Sequence, residues 1–372
     1  MQQPVRVLML FTILNRGGAE TMVMNYYRHI DRSKVQFDFV VHREERGAYE
    51  DEIEQLGGRI YRMIPLRPWN IPRYKRMIKM FFEEHPEYRI VHGQCSESGL
   101  YFYKEAHRRG LPVIIAHAHS SHVPFDMKLP FRTWMKHRIR PYLTNYFSCS
   151  KDASEWLFGR HLASKAIILP NAIDTILYRF LEEVRQQQRK AMNIDPNCLV
   201  ICHVGSFAKA KNHAFLLSVF QQLLQKRPDA LLLLIGCGGS EEINVKKKAT
   251  SLFPSNNYCF LGARNDVPRL LMVADVFVFP SLHEGLPLSL VEAQCSGLPC
   301  IVSDTIPQEA CLTDLVKCLS LKESPETWAD ALIKQAEMSR DRTIYSQKIA
   351  TAGYDIKDNV NWLQNFYLKC QH

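Results

Sequence analysis

The residues best placed to do chemistry together stand in Phe279-Pro280-Ser281-Leu282-His283-Glu284-Gly285-Leu286-Pro287-Leu288-Ser289-Leu290-Val291-Glu292-Ala293. An apolar run over residues 276–280 reads as a buried strand. A glycine turn follows it, and Pro287 is expected at the first helical position, where a missing N–H costs nothing. Gly297 is placed to end that helix in a left-handed cap. The free N–H groups and dipole of such a helix start favour an anion such as phosphate above the strand ends. Glu284 lies in the turn, and Glu292 is expected about two turns into the helix. A spacing of eight residues rotates through about 80° beyond two revolutions, which would bring both carboxylates to one side of the site. An ionised carboxylate accepts hydrogen bonds and a diol donates them, so one acid suits a sugar hydroxyl and the other a ribose diol.

Three further stretches end strand-like runs in the same manner. Gly205-Ser206-Phe207-Ala208-Lys209-Ala210-Lys211-Asn212-His213 combines a glycine with two lysines, and Gly262-Ala263-Arg264 follows an apolar run. Val113-Ile114-Ile115-Ala116-His117-Ala118-His119-Ser120 ends in two histidines that strand alternation places on one side. Near the start, Asn15-Arg16-Gly17-Gly18-Ala19-Glu20 supplies small residues that let another molecule approach the backbone.

These residues need a scaffold of alternating strands and helices. Strand-like runs over 5–10, 37–41, 90–92, 113–117 and 146–149 alternate with helical patterns over 20–29, 50–56, 74–83 and 99–108. A second series of strands is expected at 199–205, 231–236, 259–261, 276–280 and 299–302, with helices between them. Leu169-Pro170-Asn171-Ala172-Ile173-Asp174 interrupts the periodicity and reads as a connector. A final helix, about 360–368, is free to fold back onto the first series. At 372 residues the chain exceeds what one core usually serves, so two α/β domains are expected.

Composition narrows the class. Apolar residues make up 46% of the chain, yet no uninterrupted run approaches the roughly 18 needed to cross a bilayer. The start, MQQPVRVLML, enters a strand-like segment without a small-residue cleavage site, so neither a signal peptide nor a membrane span is expected. The 11 cysteines show no CxxC pair and no zinc spacing, which fits reduced thiols in a cytoplasmic protein. Residues 1–174 hold 26 Lys and Arg against 18 Asp and Glu, whereas residues 175–372 hold 21 against 20. Basic and large apolar residues alternate over 71–82 and 131–140, which makes an anionic membrane surface a candidate partner beside ordinary core helices with long cationic side chains.

Glu284, seven residues, then Glu292, set in PSLHEGLPLSLVEAQCSGLPCIVSD, resembles the paired-glutamate motif of retaining GT-B glycosyltransferases, family 4 in particular. The resemblance covers almost the whole chain. It implies two Rossmann-like domains with parallel sheets facing a central cleft and closing over substrate: residues 1–170, joined by a helix at about 356–372, for the acceptor, and 171–355 for the donor. By the resemblance Lys211 matches the phosphate-binding lysine, while Ser206 stands where the family places an arginine, with Lys209 able to compensate. His119 matches the active-site histidine, with His117 as the alternative. Catalytic roles are thus expected of His119, Lys211 and Glu284. The donor would lie on Gly17, Gly18, Gly205, Ser206, Lys211, Ala263, Arg264, Glu284, Gly285, Leu286, Pro287, Leu288 and Glu292. Asn171 and Asp174 resemble the interdomain Asn-Gly-Ile-Asp, with Ala172 replacing glycine.

The implied activity is retaining transfer of a hexose or N-acetylhexosamine from a UDP-linked sugar to a glycan, lipid-linked and belonging to capsule or exopolysaccharide assembly. Attachment would be peripheral, on the inner membrane face. No Asp-x-Asp occurs, so neither metal nor other cofactor is expected, and no nucleic acid. Two alternatives stay open: a non-catalytic sugar-nucleotide binder, and a dinucleotide-dependent oxidoreductase, for which residues 14–19 lack the full GxGxxG.

Overall fold

A computed structural model describes residues 3–95, 99–119 and 129–370; Ser120 and the last two residues of the expected C-terminal helix lie outside them. The chain divides into two compact units, Met1–Ala172 with Ile356–His372, and Ile173–Asp355.

The first unit has strands β1 (Val5–Leu10), β2 (Val35–Val41), β3 (Ile60–Arg62), β4 (Ile90–Gly93), β5 (Val113–Ala118), β6 (Asn145–Ser148) and β7 (Ile167–Ile168). They pair in parallel in the order β3-β2-β1-β4-β5-β6-β7. Helices α1 (Gly18–His29), α2 (Glu50–Gln55), α3 (Ile71–Glu84), α4 (Leu100–Arg108), α5 (Leu129–Ile139), α6 (Lys151–Phe158) and α7 (Arg160–Ala163) make the crossovers. Helices cover both faces of such a sheet, so its central strands carry continuous apolar runs. Strand β2 departs from this at Gln36, which donates to the Tyr27 hydroxyl and the Leu56 carbonyl, and at Asp38, which is fully buried and held by Arg6 and the Tyr88 hydroxyl.

The second unit repeats the plan with β8 (Val200–Val204), β9 (Leu231–Ile235), β10 (Tyr258–Gly262), β11 (Val276–Phe279), β12 (Cys300–Ser303) and β13 (Val316–Leu319) in the order β10-β9-β8-β11-β12-β13. Its helices are α8 (Glu182–Ala191), α9 (His213–Lys226), α10 (Glu242–Leu252), α11 (Val267–Val273), α12 (Leu288–Cys295), α13 (Pro325–Glu337) and α14 (Tyr345–Ile349). The last helix, α15 (Ile356–Lys369), packs Ile356, Val360, Leu363 and Tyr367 into the core of the first unit.

Both sheets reverse direction beside their first strand, between β1 and β4 and between β8 and β11. Loops leaving the carboxyl ends of these strands diverge and open a crevice. The long apolar strands stand where the periodicity predicts them. The short strands β3, β7 and β13, only partly buried, escape it, because a sheet edge needs no continuous apolar run.

The helix after β11 corrects two expectations. Pro287 has φ −72° and ψ 106°, an extended conformation that makes it the residue before the helix, and α12 begins at Leu288. Glu292 therefore lies little more than one turn in, and Glu284 is outside the helix, so helical rotation does not relate the two acids. Gly297, with φ +62°, ends α12 as the sequence predicts.

Candidate functional site

In the second unit the chemistry collects where β8 and β11 part. After β8 the backbone passes Gly205, makes a single 3-10 turn over Lys209–Lys211, and enters α9 through Asn212 in the left-handed conformation. After β11 the Leu282 N–H donates to the Ala210 carbonyl at 2.7 Å, joining the two loops. Lys211 Nζ then donates to Glu284 Oε1 at 2.7 Å and lies 4.6 Å from the centre of the Phe279 ring. Lys211 and Glu284 are 18% and 13% exposed, so the pair is shielded without being sealed. An ammonium has three donors, and those not used by Glu284 are available to an anion.

The backbone dictates why small residues surround this pair. Gly236 has φ +136°, and a Cβ there would stand 2.1 Å from the Gly205 carbonyl oxygen. A Cβ on Gly205 would itself meet Lys211 Cε at 3.2 Å. Ser206 and Lys209 are exposed beside them. Gly285 is half-buried, Leu286 and Pro287 are buried, and Leu288 packs against Ile173, Val291, Cys295 and Ile349. These residues therefore present mainly backbone at the start of α12, where the first N–H groups have no intrahelical acceptor and favour an anion.

Glu292 faces a different partner. It is 8% exposed and accepts a hydrogen bond from the Tyr178 hydroxyl at 2.7 Å. Burial pushes its carboxyl up to about 7, against the opposing effect of Tyr178. Asp174 Oδ1 accepts from the N–H groups of Ile176 and Leu177 at 3.0 Å each, which shapes the turn that delivers Tyr178. Leu177, the neighbour of Tyr178, also lines a groove of about 510 Å³ with Ala263, Arg264, Asn265, Asp266 and Pro268 among its walls. Arg264 is held by Asp266 through two 2.7 Å hydrogen bonds, leaving Ala263 and the backbone after β10 open. Asn171 is buried in the first unit, and Asp174 belongs to the second, so the connector spans the boundary.

The first unit has its own constellation at the carboxyl ends of β4 and β5. His117 is fully buried and stacks on His119 with ring centres 4.2 Å apart. On its other side His92 Nε2 lies 3.2 Å from His117 Nδ1, and His92 Nδ1 lies 2.6 Å from the Tyr367 hydroxyl of α15. His119 Nε2 donates to Gln94 Oε1 at 2.6 Å, so its proton sits on Nε2 and Nδ1 keeps a lone pair. Burial lowers the ring pKa of His119 to about 4, and that of His92 to about 3 with help from His119. The stack is therefore neutral near pH 7 and acts by hydrogen bonding. Among the two histidines, His119 is half-exposed while His117 is enclosed.

Gly17 precedes α1 and Gly18 opens it. A Cβ on Gly17 would stand 2.3 Å from Glu20 Oε2, and burial pushes Glu20 up to about 6. Glu20 closes the Gly17-Gly18 stretch that the sequence singles out, whereas Gln94 and Tyr178 lie beside these groups without a motif to announce them. Only the position of Gln94, next to a strand end, gives any local signal.

Two family models match the chain: glycosyl transferases group 1 over residues 184–352 and glycosyltransferase family 4 over residues 16–177. It is 36% identical over 373 residues to the putative glycosyltransferase EpsF of Bacillus subtilis, covering 97% of this chain and 96% of that one. It is 26% identical over 284 residues to the UDP-Gal:alpha-D-GlcNAc-diphosphoundecaprenol alpha-1,3-galactosyltransferase of Escherichia coli, covering 72% of each. Among solved structures, Anabaena Alr3699/HepE in complex with UDP-glucose superimposes with a TM-score of 0.79 at 18% identity, over 98% of this chain and 99% of that one.

Proposed function

Because the chain belongs to the group 1 and family 4 glycosyltransferases, we propose that it transfers a hexose or N-acetylhexosamine from a UDP-linked donor to a lipid-linked glycan with retention of configuration. It is a transferase of exopolysaccharide- or capsule-type assembly with a GT-B fold, and the oxidoreductase alternative falls. The observation that carries the finer reading is the Lys211–Glu284 pair at the mouth of α12. A donor diphosphate there would meet the unused Lys211 donors and the N–H groups of the helix start, and Glu284 would accept from a sugar hydroxyl. The nucleoside would extend toward Glu292, its ribose diol taking the place of the Tyr178 hydroxyl, with the base in the groove beside Ala263.

In this mechanism charge develops on the departing diphosphate as the anomeric bond breaks, and the positive end of α12 with Lys211 stabilises it. The leaving phosphate takes the acceptor proton, and the new bond forms on the same face. On the first unit, His119 Nδ1 keeps a lone pair that could accept from a sugar hydroxyl. No metal is needed, since Lys211 and the helix start carry the charge. The UDP-linked donor and the lipid-linked acceptor also draw on the similar Escherichia coli enzyme and on the UDP-glucose complex of HepE.

The test is product formation from UDP-, GDP- and ADP-sugars with a polyprenyl-diphosphate glycan, followed by NMR of the new anomeric proton. Transfer from a UDP-sugar with the donor's α configuration, unaffected by EDTA and abolished by Lys211→Ala, is expected. Inversion, or a Lys211→Ala enzyme of full activity, would overturn the reading.

A further inference from the structure

The second unit carries a pair of thiols that the transfer reaction does not use. Cys311 follows the 3-10 turn Gln308–Ala310, and Cys318 lies on β13, the edge strand of the sheet. Their sulfurs are 3.9 Å apart; Cys318 is exposed and Cys311 partly buried. Both backbones are held in place. The parallel ladder with β12 sets Cys318 opposite Val302, and the Cys311 N–H donates to the Gln308 carbonyl at 3.0 Å. The next two N–H groups, of Leu312 and Thr313, both donate to Gln294 Oε1, at 2.9 and 3.0 Å. Bridging the sulfurs requires them to close from 3.9 Å to about 2.05 Å.

We propose that Cys311 and Cys318 form a redox site, a dithiol that peroxides oxidise to an intramolecular disulfide. Cys318, the accessible sulfur, attacks the peroxide as thiolate; the O–O bond breaks, giving a sulfenic acid on Cys318 and hydroxide, which the proton lost by Cys318 converts to water. Cys311 then attacks the Cys318 sulfur. The S–S bond forms, the S–O bond breaks, and the leaving hydroxide departs as water with the Cys311 proton. Two thiols are thereby oxidised by two electrons and one peroxide is reduced to two waters. Burial and the neighbouring sulfur push the Cys311 thiol up to about 12, so it does not compete with Cys318 for the peroxide and gives up its proton only as it attacks the sulfenic sulfur.

The bridge has a defined place to act. Gln294 lies two residues beyond Glu292 on α12, and it also donates to the Ala310 carbonyl at 2.8 Å. A Cys311–Cys318 disulfide therefore ties the sheet edge to the loop that grips the C-terminal half of α12.

The experiment treats the folded chain with equimolar hydrogen peroxide, blocks remaining thiols with N-ethylmaleimide and digests with trypsin. Lys317 stands between the two cysteines, so cleavage there separates residues 270–317 from residues 318–322 unless a bridge joins them. The expected product is the joined pair, lighter by two hydrogens, with fragmentation locating the link at Cys311 and reversal by dithiothreitol. Cys318→Ser should lose the joined species while keeping its circular dichroism melt. Cys311→Ser should leave a Cys318 sulfenic acid that dimedone traps. Linkage of Cys318 to Cys295 or Cys300, or oxygen adducts without linkage, would overturn the proposal.

Discussion

Glu292 shows how one buried carboxyl, which the proposed mechanism sets on the donor ribose, makes stability depend on pH. Its pKa rises from 4.5 to about 7 on folding, because water is lost around it. Between those values the folded state holds more protons than the unfolded one, so this group's contribution is fully present below about pH 4.5 and lost as pH rises through 7. Glu292→Gln keeps an acceptor for Tyr178 but cannot ionise. The variant should match the wild type near pH 4 and exceed it by on the order of 3 kcal/mol at pH 8, read from urea unfolding, while donor affinity falls. Equal pH dependence of the two proteins would refute this. At His119 burial sets the low pKa and Gln94 is the hydrogen-bond partner. Gln94→Glu places a negative charge against the ring, so the His119 pKa should climb from about 4 toward the ordinary histidine range, whereas Gln94→Leu should leave it low. Ring-proton NMR across pH distinguishes the two results. None of these pairings had a sequence signature: Glu292 was legible as an acid near a helix start, but Tyr178, 114 residues away, was not.

Elements position these groups through their ends. The turn after β9 brings Gly236 against the Gly205 carbonyl, so Gly236→Ala faces both a strained φ of +136° and a 2.1 Å clash. Gly110, at φ +71°, has open space around its missing side chain. Gly110→Ala should cost about 1 kcal/mol, from backbone strain alone. Gly236→Ala should cost at least about 3 kcal/mol and also disturb the Lys211 loop. Urea midpoints measure the difference, and similar costs at the two sites would show that the close approach contributes nothing. Central strands such as β9, LLLLI, announced themselves by continuous apolar residues, and Gly297 marked the end of α12. The start of α12 was harder to read, because proline fits both the residue before a helix and the first residue within it; the local ψ decides.

Across the whole chain, the basic surplus of residues 1–174 acquires a location on the first unit. Helix α3 buries Tyr74, Ile78, Phe81 and Phe82 and exposes Arg73, Lys75, Arg76, Lys79 and Met80. Helix α4 packs against both α3 and α5, and on α5 Trp134 is exposed with Arg138 over its ring at 5.6 Å. Trp69 is 77% exposed just before α3. No helix among the described residues is long and apolar enough to cross a membrane. Vesicles containing phosphatidylserine should sediment the protein, and replacing Arg73, Lys75, Arg76 and Lys79 by glutamine should weaken binding at least about tenfold at low salt, at roughly 1 kcal/mol per cation. Unchanged binding would assign these cations to an ordinary solvated face. The sequence by itself determined which runs are strands and helices, because burial leaves a local period of apolar residues. It also determined the chemistry available at strand ends, through glycine, lysine and glutamate in fixed local order. The tertiary structure alone decided the partners: Lys211 with Glu284 across 73 residues, and His92 with Tyr367 across 275. Such pairs depend on strand order and on where the last helix returns, and no local period carries that information.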